Sequence, residues 1–341
     1  MITQGQRRLL APPAPLPAAA PRERPTISVV IPYYRAAHVI AEAVASALEQ
    51  TLAPDEIVIC DDGSPDDLDG ALGALRERVI VVRRENGGAA AALNTAAGIA
   101  SGEFIVQLDS DDTFMPTRIE AISDAIVARP DLDVIATDAL IELDGSPVVR
   151  FREATPFETE FQRVAVLKHC FFAWPAMRRS RFMAVGGYDE RYRATSDWAG
   201  FIRLVLDGAS VGMVDEPLYR WRLQPGSISS NGAFNAAEEI RLLQDVMQRY
   251  TLAAEELAQA NATIALTRQR GLLLEAKEAL TDGRDDARNR AFAVVTGSGF
   301  TVPTRLKAAA TVVSPSLARR ALGGRFGEQA IERRFGADPG A

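Results

Sequence analysis

Short apolar runs alternate with helix-like segments between residue 27 and about residue 136. Each run is rich in β-branched side chains and short enough for a buried strand. Strands separated by helices indicate right-handed βαβ units. We therefore predict an α/β fold with a mostly parallel sheet flanked by helices. The predicted strands are Ile27–Ile31, Ile57–Cys60, Val79–Val82, Phe104–Leu108 and Val134–Ala136.

The pattern becomes less regular after residue 140 and is helical beyond residue 234. Asp144-Gly145 lies between two short apolar pairs and predicts a hairpin turn. Val211–Val214 predicts a late edge strand. Apolar residues at helical spacing predict helices over 39–48, 68–75, 89–100, 119–126, 198–207, 235–250, 252–280 and 284–294.

These patterns divide the chain into four parts. Residues 1–24 are expected to form a flexible Pro/Ala-rich extension, because its prolines prevent the continuous helix of a secretory signal. The α/β domain is expected over 25–232, followed by a helical appendage over 233–300. Residues 301–341 hold seven basic and three acidic residues, interleaved with apolar ones. This basic, partly helical tail predicts either a solvated appendage or peripheral contact with an anionic membrane.

Composition excludes several classes of protein. Apolar residues make up 47% of the chain and the formal net charge is −7, which indicates a soluble globular protein that does not bind nucleic acid. Two cysteines and two histidines are too few for a disulfide framework or a cysteine zinc site. We expect a reducing, cytoplasmic location. No apolar run reaches the ~18 residues of a membrane span.

Acidic residues follow two of the predicted strands. Asp61-Asp62 come after the second strand, and Asp109, Asp111 and Asp112 come after the fourth. Carboxyl ends of parallel strands meet at one edge, so we expect five carboxylates around one crevice. The repulsion between these carboxylates favours a bound cation. Oxygen ligands select Mg²⁺ or Mn²⁺, and these ions keep some coordination positions free for substrate phosphates. A metal-assisted diphosphate site is predicted; the structural alternative is that each cluster forms a turn or a helix cap.

Residues 26–230 resemble the family 2 glycosyltransferases, which have the Rossmann-like GT-A fold. The resemblance depends on the order and spacing of many short pieces. They are Ile31-Pro32-Tyr33-Tyr34, Cys60-Asp61-Asp62-Gly63-Ser64, Asn86-Gly87-Gly88, Leu93-Asn94, Ser101-Gly102-Glu103-Phe104-Ile105, Leu108-Asp109-Ser110-Asp111-Asp112, Met115-Pro116, Gly186-Gly187-Tyr188-Asp189-Glu190, Ser196-Asp197-Trp198 and Tyr219-Arg220 with Ser227 and Ser229.

The resemblance implies a role for particular residues. Tyr34 would stack on the base of a nucleotide-sugar donor, and Asp62 would accept a hydrogen bond from that base. Asp109 and Asp111 would form the DxD motif, with Asp111 on the metal and Asp109 at the ribose or diphosphate. Asp197 would be the catalytic base. The donor-binding residues implied are Pro32, Tyr34, Asp62, Asn94, Asp109, Asp112 and Arg222.

Some assignments have structural alternatives or depart from the family pattern. Asp197 is also a suitable N-cap for a helix beginning at Trp198. Trp174 and Trp198 suit either an acceptor site or the core. Arg35 stands where the family usually has Asn, and Leu93 where an Arg commonly precedes the Asn. A histidine common after Tyr219-Arg220 is missing; Arg222 and Gln224 stand there, and Arg222 is a candidate phosphate ligand.

The resemblance implies an inverting, Mn²⁺- or Mg²⁺-dependent sugar transfer from a nucleotide sugar to a hydroxyl of a glycan or lipid-linked acceptor. A UDP-sugar is favoured because Asp62 matches a base-contacting position. One alternative is a nucleotidyltransferase, although Tyr33-Tyr34-Arg35 stands where such enzymes have a basic, Gly-rich loop. The other is a catalytically silent binding module, which would be expected to lose the DxD pair or Asp197.

Overall fold

The computed structural model describes residues 7–13, 24–143, 146–223, 232–316 and 318. The chain divides into two compact units, residues 1–223 and residues 224–341. The described part of the first unit contains one mixed β-sheet with helices, whereas that of the second is helical.

The strands of the first unit join in the order β1-β10-β7-β9-β5-β2-β3-β4, with β6 on β10 and β8 on β7. Pairing is parallel from β5 through β2 and β3 to β4, and between β7 and β10. The short β9 joins these two parallel groups by antiparallel pairing with both β5 and β7. The strands are β1 (Leu9–Leu10), β2 (Ile27–Tyr33), β3 (Glu56–Asp61), β4 (Ile80–Arg83), β5 (Phe104–Gln107), β6 (Thr113–Phe114), β7 (Val134–Leu143), β8 (Ser146–Arg150), β9 (Ala176–Arg178) and β10 (Val211–Leu223).

Helices connect and cover these strands, which confirms the predicted α/β fold. The alanine-rich helix α3 packs on β2 and β3, since small side chains allow a close approach to the sheet. The helices of the unit are α1 (Ile40–Leu48), α2 (Leu68–Leu72), α3 (Ala89–Ile99), α4 (Arg118–Ala128), α5 (Phe151–Ala154), α6 (Gln162–Lys168), α7 (Arg179–Ala184) and α8 (Ser196–Leu206), with a 3₁₀ turn at Gly73–Arg78.

Four predicted strands, β2, β3, β7 and β10, are longer in the structure. β2 continues through Pro32, which is paired with Cys60 of β3. Its pairing with β5 ends at Val30, so beyond that point one side of β2 is open and a proline is tolerated. β10 extends to Leu223 and is bordered by β7 on one side and by β1 and β6 on the other. The prediction that Val211–Val214 forms an edge strand was wrong for this reason.

The expected flexible extension is also partly wrong. Leu9 and Leu10 pair with Val214 and Met213 as β1, so these two apolar residues extend the sheet instead of remaining in solvent. Arg7 makes ion pairs with Glu120 and Asp124 of α4. The proline-rich residues 14–23 lie outside the described residues.

The predicted hairpin is formed by β7 and β8, which pair antiparallel from Leu143 and Ser146 outward. Asp144-Gly145 themselves lie outside the described residues. A buried ion pair closes the hairpin onto the sheet, because Arg150 Nε lies 2.6 Å from the fully buried Asp138 carboxylate.

The second unit consists, in its described residues, of α9 (Gly232–Arg249), α10 (Ala254–Thr281), α11 (Ala287–Thr296) and α12 (Val302–Val313). Its small core includes Ala276, Ala291, Val294 and Ala308. Among the described residues, none of the helices has the length and apolar character that crossing a membrane requires. Most of the predicted basic tail, residue 317 and residues 319–341, lies outside the described residues, as do Gln224, Ser227 and Ser229.

Candidate active site

A tight acidic loop follows the central strand β5. The Leu108 N–H donates to the Val30 carbonyl of β2, which keeps the start of the loop on the sheet. The Asp112 N–H then donates to the Asp109 carbonyl at 3.1 Å, so the chain turns sharply between these two aspartates. The following strand β6 pairs with β10. The loop is therefore fixed at both ends at the carboxyl edge of the parallel strands.

The Asp109 carboxylate is held by two neutral donors. Gln107 Nε2 donates to Oδ1 at 2.9 Å, and the Trp174 indole N–H donates to Oδ2 at 3.0 Å. The Tyr188 hydroxyl donates to Gln107 Oε1 at 2.7 Å. This last bond fixes the orientation of the Gln107 amide, because its oxygen faces Tyr188 and its nitrogen must then face Asp109.

Asp112 is joined to β10. Its carboxylate accepts the Tyr219 hydroxyl at 2.7 Å and the Arg222 backbone N–H at 2.8 Å, and the residue is only 2% exposed. The Tyr219 oxygen also accepts the Asp109 N–H at 3.2 Å. Tyr219 thus connects both ends of the acidic loop to β10.

Burial and mutual repulsion disfavour ionisation of these carboxyl groups. Burial, followed by the charge of Asp111, raises the pKa of Asp109 to about 6. Burial also raises the pKa of Asp111, although Arg222 and His38 oppose the shift. The pKa of Asp112 is raised well above its usual value by burial and by the charges of Asp109 and Asp111. A divalent cation would remove this penalty, because it stabilises the ionised forms.

The loop offers a cation too few ligands for a complete protein cage. Within the described part of the chain, no group of three or more His, Cys, Asp or Glu side chains is arranged to hold a metal. Nor does any lysine or arginine described there form an ion pair with Asp109, Asp111 or Asp112. A site with only a few oxygen ligands suits Mg²⁺ or Mn²⁺, because these ions take their remaining ligands from water and substrate phosphates.

Asp197 lies in the first turn of α8 and faces the same site. Its charge contributes to the raised pKa values of Asp109 and Tyr188. Helix α8 begins at Ser196 with Thr195 in the N-cap position, so Asp197 is inside the helix and does not cap it. Its carboxylate accepts the Trp198 N–H at 2.7 Å. The structure therefore brings the proposed base to the acidic loop.

The other acidic pair has different partners. Asp61 accepts the Ser64 N–H at 2.9 Å and lies 3.4 Å from Arg83 Nε. Asp62 accepts the N–H groups of Gly87 and Gly88 at 3.0 and 2.7 Å. It also lies 3.3 Å from Arg84 Nε. Both carboxylates are thus compensated by arginine and backbone donors, so these two of the five carboxylates expected around one crevice do not need a cation to offset their charge.

The predicted base-stacking residue is accessible. Tyr34 is 44% exposed at the end of β2, whereas the adjoining Pro32 is buried within the strand. The Arg35 guanidinium lies 5.2 Å from the centre of the Tyr34 ring. Arg35 has a φ of 52°, and its N–H donates to Ser64 Oγ, which joins this turn to the Asp61–Asp62 loop.

Asn94 has protein partners for its whole amide. Its Nδ2 donates to the Tyr188 carbonyl and to Glu190 Oε1, both at 2.9 Å, and its Oδ1 accepts the Tyr188 N–H at 2.8 Å. Gly187 beside it has a φ of 67°, and a Cβ there would lie 2.3 Å from Asn94 Oδ1. These contacts favour a positioning role for Asn94, which holds Tyr188 in place, over direct donor binding.

Arg222 is paired with a glutamate of α1. Its guanidinium makes a two-point contact with the Glu42 carboxylate, through Nη1 at 2.8 Å and through Nη2. Its charge also acts on Asp111. A phosphate would therefore have to replace Glu42 to be bound by Arg222.

The two candidate acceptor tryptophans differ. Trp198 is 5% exposed and its indole N–H donates to the Val166 carbonyl at 2.7 Å, so it is a core residue and the acceptor prediction for it was wrong. Trp174 is partly buried at the site itself. Its ring stacks on Tyr219 with centroids 4.5 Å apart and planes 14° from parallel.

Comparison with known families assigns much of the segment that bears this candidate site to one family. Residues 28–186 match the model of the family described as glycosyl transferase family 2. The chain contains a family 2 glycosyltransferase domain. The predicted resemblance is confirmed over the segment that bears both acidic loops and the glycine-led helix α3.

The chain is also similar in sequence to proteins named as glycosyltransferases or polysaccharide synthases. The putative teichuronic acid biosynthesis glycosyltransferase TuaG of Bacillus subtilis is 29% identical over 212 residues, covering 61% of this chain and 83% of that protein. The chondroitin synthase of Pasteurella multocida is 30% identical over 184 residues, covering 53% of this chain. The chain spans only 19% of the length of that synthase, about a fifth.

Solved structures share the GT-A fold of this glycosyltransferase domain at low sequence identity. S. aureus TarS 1–349 in complex with UDP-GlcNAc has a TM-score of 0.61 at 18% identity, covering 91% of this chain and 89% of that one. The mannosyltransferase PcManGT from Pyrobaculum calidifontis, in complex with GDP-Man and Mn²⁺, has a TM-score of 0.55 at 18% identity. It covers 94% of this chain and 88% of that chain.

Two residues of the candidate site, Gln107 and Glu42, were not predicted from the sequence. Gln107 is a buried amide in an otherwise apolar strand, and that contrast was available as a signal for a specific polar partner. Glu42 is an ordinary exposed residue on α1, and nothing in the local sequence indicates its distant partner Arg222.

Proposed function

We propose that this chain transfers a sugar, with inversion, from a nucleoside diphosphate sugar to a hydroxyl of a glycan or lipid-linked acceptor. The observation on which the proposal depends is the acidic loop of the half-buried Asp109 and Asp111 and the buried Asp112, with Asp197 facing it. The family match and the nucleotide-sugar complexes named for TarS and PcManGT support the proposed donor class.

The donor is proposed to lie along the carboxyl edge of the strands. Tyr34 is exposed and would stack on the base, with Pro32 and Asp62 shaping the same end of the groove. Asp109 would contact the ribose or diphosphate, and Asp112 would hold the loop in place through Tyr219. A UDP-sugar is favoured.

Asp111 and Asp109 would hold Mn²⁺ or Mg²⁺. When bound, the ion neutralises charge on the departing nucleoside diphosphate, so no acid on the protein is needed. The raised pKa values of these carboxyl groups support a cation as their missing partner. Arg222 would add a phosphate contact after exchanging Glu42 for the donor.

Asp197 is proposed as the general base. As the acceptor oxygen attacks the anomeric carbon, the Asp197 carboxylate takes the hydroxyl proton. The new bond joins the acceptor oxygen to the anomeric carbon, and the bond to the diphosphate oxygen breaks on the opposite face. The electron pair leaves with the nucleoside diphosphate, which gives inversion in one displacement. Trp174, partly buried beside Asp109, is proposed to contact the acceptor.

The acceptor class rests on the relatives. TuaG is named for teichuronic acid biosynthesis, and an Escherichia coli relative, WfaP, for glucosyl transfer to a diphosphoundecaprenol-linked sugar. A cell-surface polysaccharide or its lipid-linked precursor is the acceptor that these names support. We place the enzyme in the cytoplasm, with residues 301–341 as the proposed contact with an anionic inner membrane surface.

Turnover and binding of a nucleotide-sugar panel in Mn²⁺ or Mg²⁺ test the proposal. We expect one donor to bind in the presence of metal. Asp111→Ala abolishes that binding, whereas Asp197→Ala retains it and slows turnover by about a hundredfold to ten-thousandfold. Asp131→Ala is the matched control, since Asp131 pairs with Arg129 near the end of α4 and is remote in sequence from the acidic loop.

Three results would contradict the proposal. Pyrophosphate release from nucleoside triphosphates would indicate a nucleotidyltransferase. Tight donor binding without any turnover, unchanged in Asp197→Ala, would indicate a binding module. Failure of every nucleotide sugar to bind with either metal would overturn the diphosphate site itself.

A further inference from the structure

Arg118 is a fully buried cation beneath the acidic loop. It begins helix α4, and its relative exposure is 0%. The guanidinium packs against two aromatic rings, 4.8 Å from the centre of Phe114 and 4.9 Å from that of Tyr219. The surrounding apolar environment is unfavourable for a charge, and it lowers the pKa of Arg118 to about 9.

The polar partners of Arg118 are neutral. One Nη donates to Thr137 Oγ1 of β7 and the other to the Trp174 carbonyl, while Nε has no hydrogen-bond partner. Among the described residues no carboxylate forms an ion pair with it. A buried arginine without an acidic partner is costly to maintain, so packing alone does not account for it.

Two of the residues that Arg118 contacts, Tyr219 and Trp174, connect it to the acidic loop. Tyr219 donates to Asp112 and accepts the Asp109 N–H. Trp174 donates to Asp109 and stacks on Tyr219. Trp174 has a φ of 45°, a left-handed conformation that a residue with a side chain rarely adopts. Its carbonyl is the group that Arg118 holds.

We propose that Arg118 is a positioning residue for the donor-binding loop. Its hydrogen bond to the Trp174 carbonyl holds Trp174 in its left-handed conformation. Its planar guanidinium packs against the Tyr219 ring. Together these contacts fix the Trp174–Tyr219 stack, which in turn fixes Asp109 and Asp112. The proposal rests on the proposed function in so far as the loop binds a metal–diphosphate complex.

The test uses the full chain labelled with 5-fluorotryptophan. Its three tryptophans give three ¹⁹F resonances, and Trp174→Phe assigns the one of interest. In Arg118→Met, which has a similar length and no charge, we expect the Trp174 resonance to shift or broaden while that of Trp198 stays in place. We expect binding of UDP in Mn²⁺, measured by calorimetry, to weaken by about tenfold or more.

Arg178→Met is the matched control. Arg178 also stacks on an aromatic ring of the sheet, 4.7 Å from the centre of Phe104, but it pairs with Glu103 and Asp133 near the other ends of the parallel strands. Its substitution is expected to lower the melting temperature without moving the Trp174 resonance or weakening UDP binding.

Arg118→Lys covers the case in which Arg118→Met does not fold. Lysine keeps the charge, but its single ammonium group cannot donate to Thr137 and Trp174 at once as the two Nη atoms of a guanidinium do. A smaller shift of the Trp174 resonance than in Arg118→Met is therefore expected. An unmoved Trp174 resonance in Arg118→Met or Arg118→Lys would overturn the proposal, as would an equal loss of UDP binding in Arg178→Met. If the wild type itself does not bind UDP or other nucleotides with metal, the proposed function fails, and the ¹⁹F spectra still test Arg118 alone.

Discussion

The loops after β3 and β5 each begin at the carboxyl edge of the same sheet, and each presents consecutive aspartates. The Asp62 carboxylate is compensated by the N–H groups of Gly87 and Gly88 and by Arg84. Asp109 has only the neutral donors Gln107 and Trp174, and its pKa is raised to about 6. The first loop has its charge compensated within the protein, whereas no lysine or arginine in the described part of the chain forms an ion pair with the second. Similar sequences thus build a compensated structural turn in one place and, in the other, the acidic loop that we propose as a cation site.

Replacing Asp109 by asparagine should have the largest effect on activity. The substitution keeps the shape but removes the charge, so sugar transfer should fall by about a hundredfold or more. The melting temperature should change little, because relief of the repulsion from Asp111 offsets the loss of one of the two hydrogen bonds that Gln107 and Trp174 donate. Transfer assays and thermal unfolding in EDTA check both parts. A large loss of stability would show that Asp109 is a structural residue like Asp62.

Asp62→Asn should give the opposite pattern. An amide can accept only one of the two glycine N–H groups and turns its own donor toward the other, which should lower the free energy of unfolding by about 1–3 kcal/mol. Urea unfolding measures this loss, with Asp131→Asn as a surface control. Unchanged stability would contradict the view that Asp62 holds the Gly87-Gly88 turn.

Tyr188→Phe should have a smaller effect on the second loop. It removes the hydroxyl that fixes the Gln107 amide, so the Asp109 carboxylate loses orientation but keeps its charge. We expect turnover to fall by about threefold to tenfold with nearly unchanged metal binding. Steady-state kinetics and Mn²⁺ titration separate the two, and a loss confined to metal affinity would contradict this role.

The smallest expected effect is a pH dependence of stability in metal-free protein. The folded pKa of Asp109 is about 6, above its ordinary value of 3.8, so the folded state binds a proton more tightly than the unfolded state. Asp109 therefore opposes folding above pH 6, and this opposition fades as the pH falls from about 6 toward about 4. We therefore expect the contribution of Asp109 to the pH dependence of the free energy of unfolding to be missing in Asp109→Asn. Urea unfolding of the wild type and of this variant across this pH range measures the difference. Identical slopes would contradict the raised pKa.

The sequence predicted what depends on local pattern and missed what depends on distant contacts. Apolar runs located β2, β3, β4 and β5, and the acidic motifs located both loops. The three-residue strand β9 has no pattern of its own, since it is defined only by β5 and β7 on either side.

Within the site, the motif residues were identified but their different partners were not. Nothing adjacent to Asp62 indicates that Arg84 and two glycine N–H groups would compensate it. Trp198 was ambiguous because an indole suits both a core and a sugar site, and only its bond to Val166 decides between them. Arg118 shares the apolar face of α4 with Ile122, which was an overlooked sign of a buried cation.

We infer that the carboxylates of the Asp109–Asp112 loop are fully compensated only when a divalent cation and a nucleoside diphosphate are bound. Electron paramagnetic resonance of Mn²⁺, titrated with and without UDP, tests it directly. We predict weak Mn²⁺ uptake by the protein alone, strong uptake once UDP is added, and loss of that UDP-dependent uptake in Asp111→Asn but not in the control Asp131→Asn. Equal Mn²⁺ uptake in the wild type and in Asp111→Asn would contradict a cation site at this loop. The absence of Mn²⁺ uptake with every nucleoside diphosphate tested would contradict it as well.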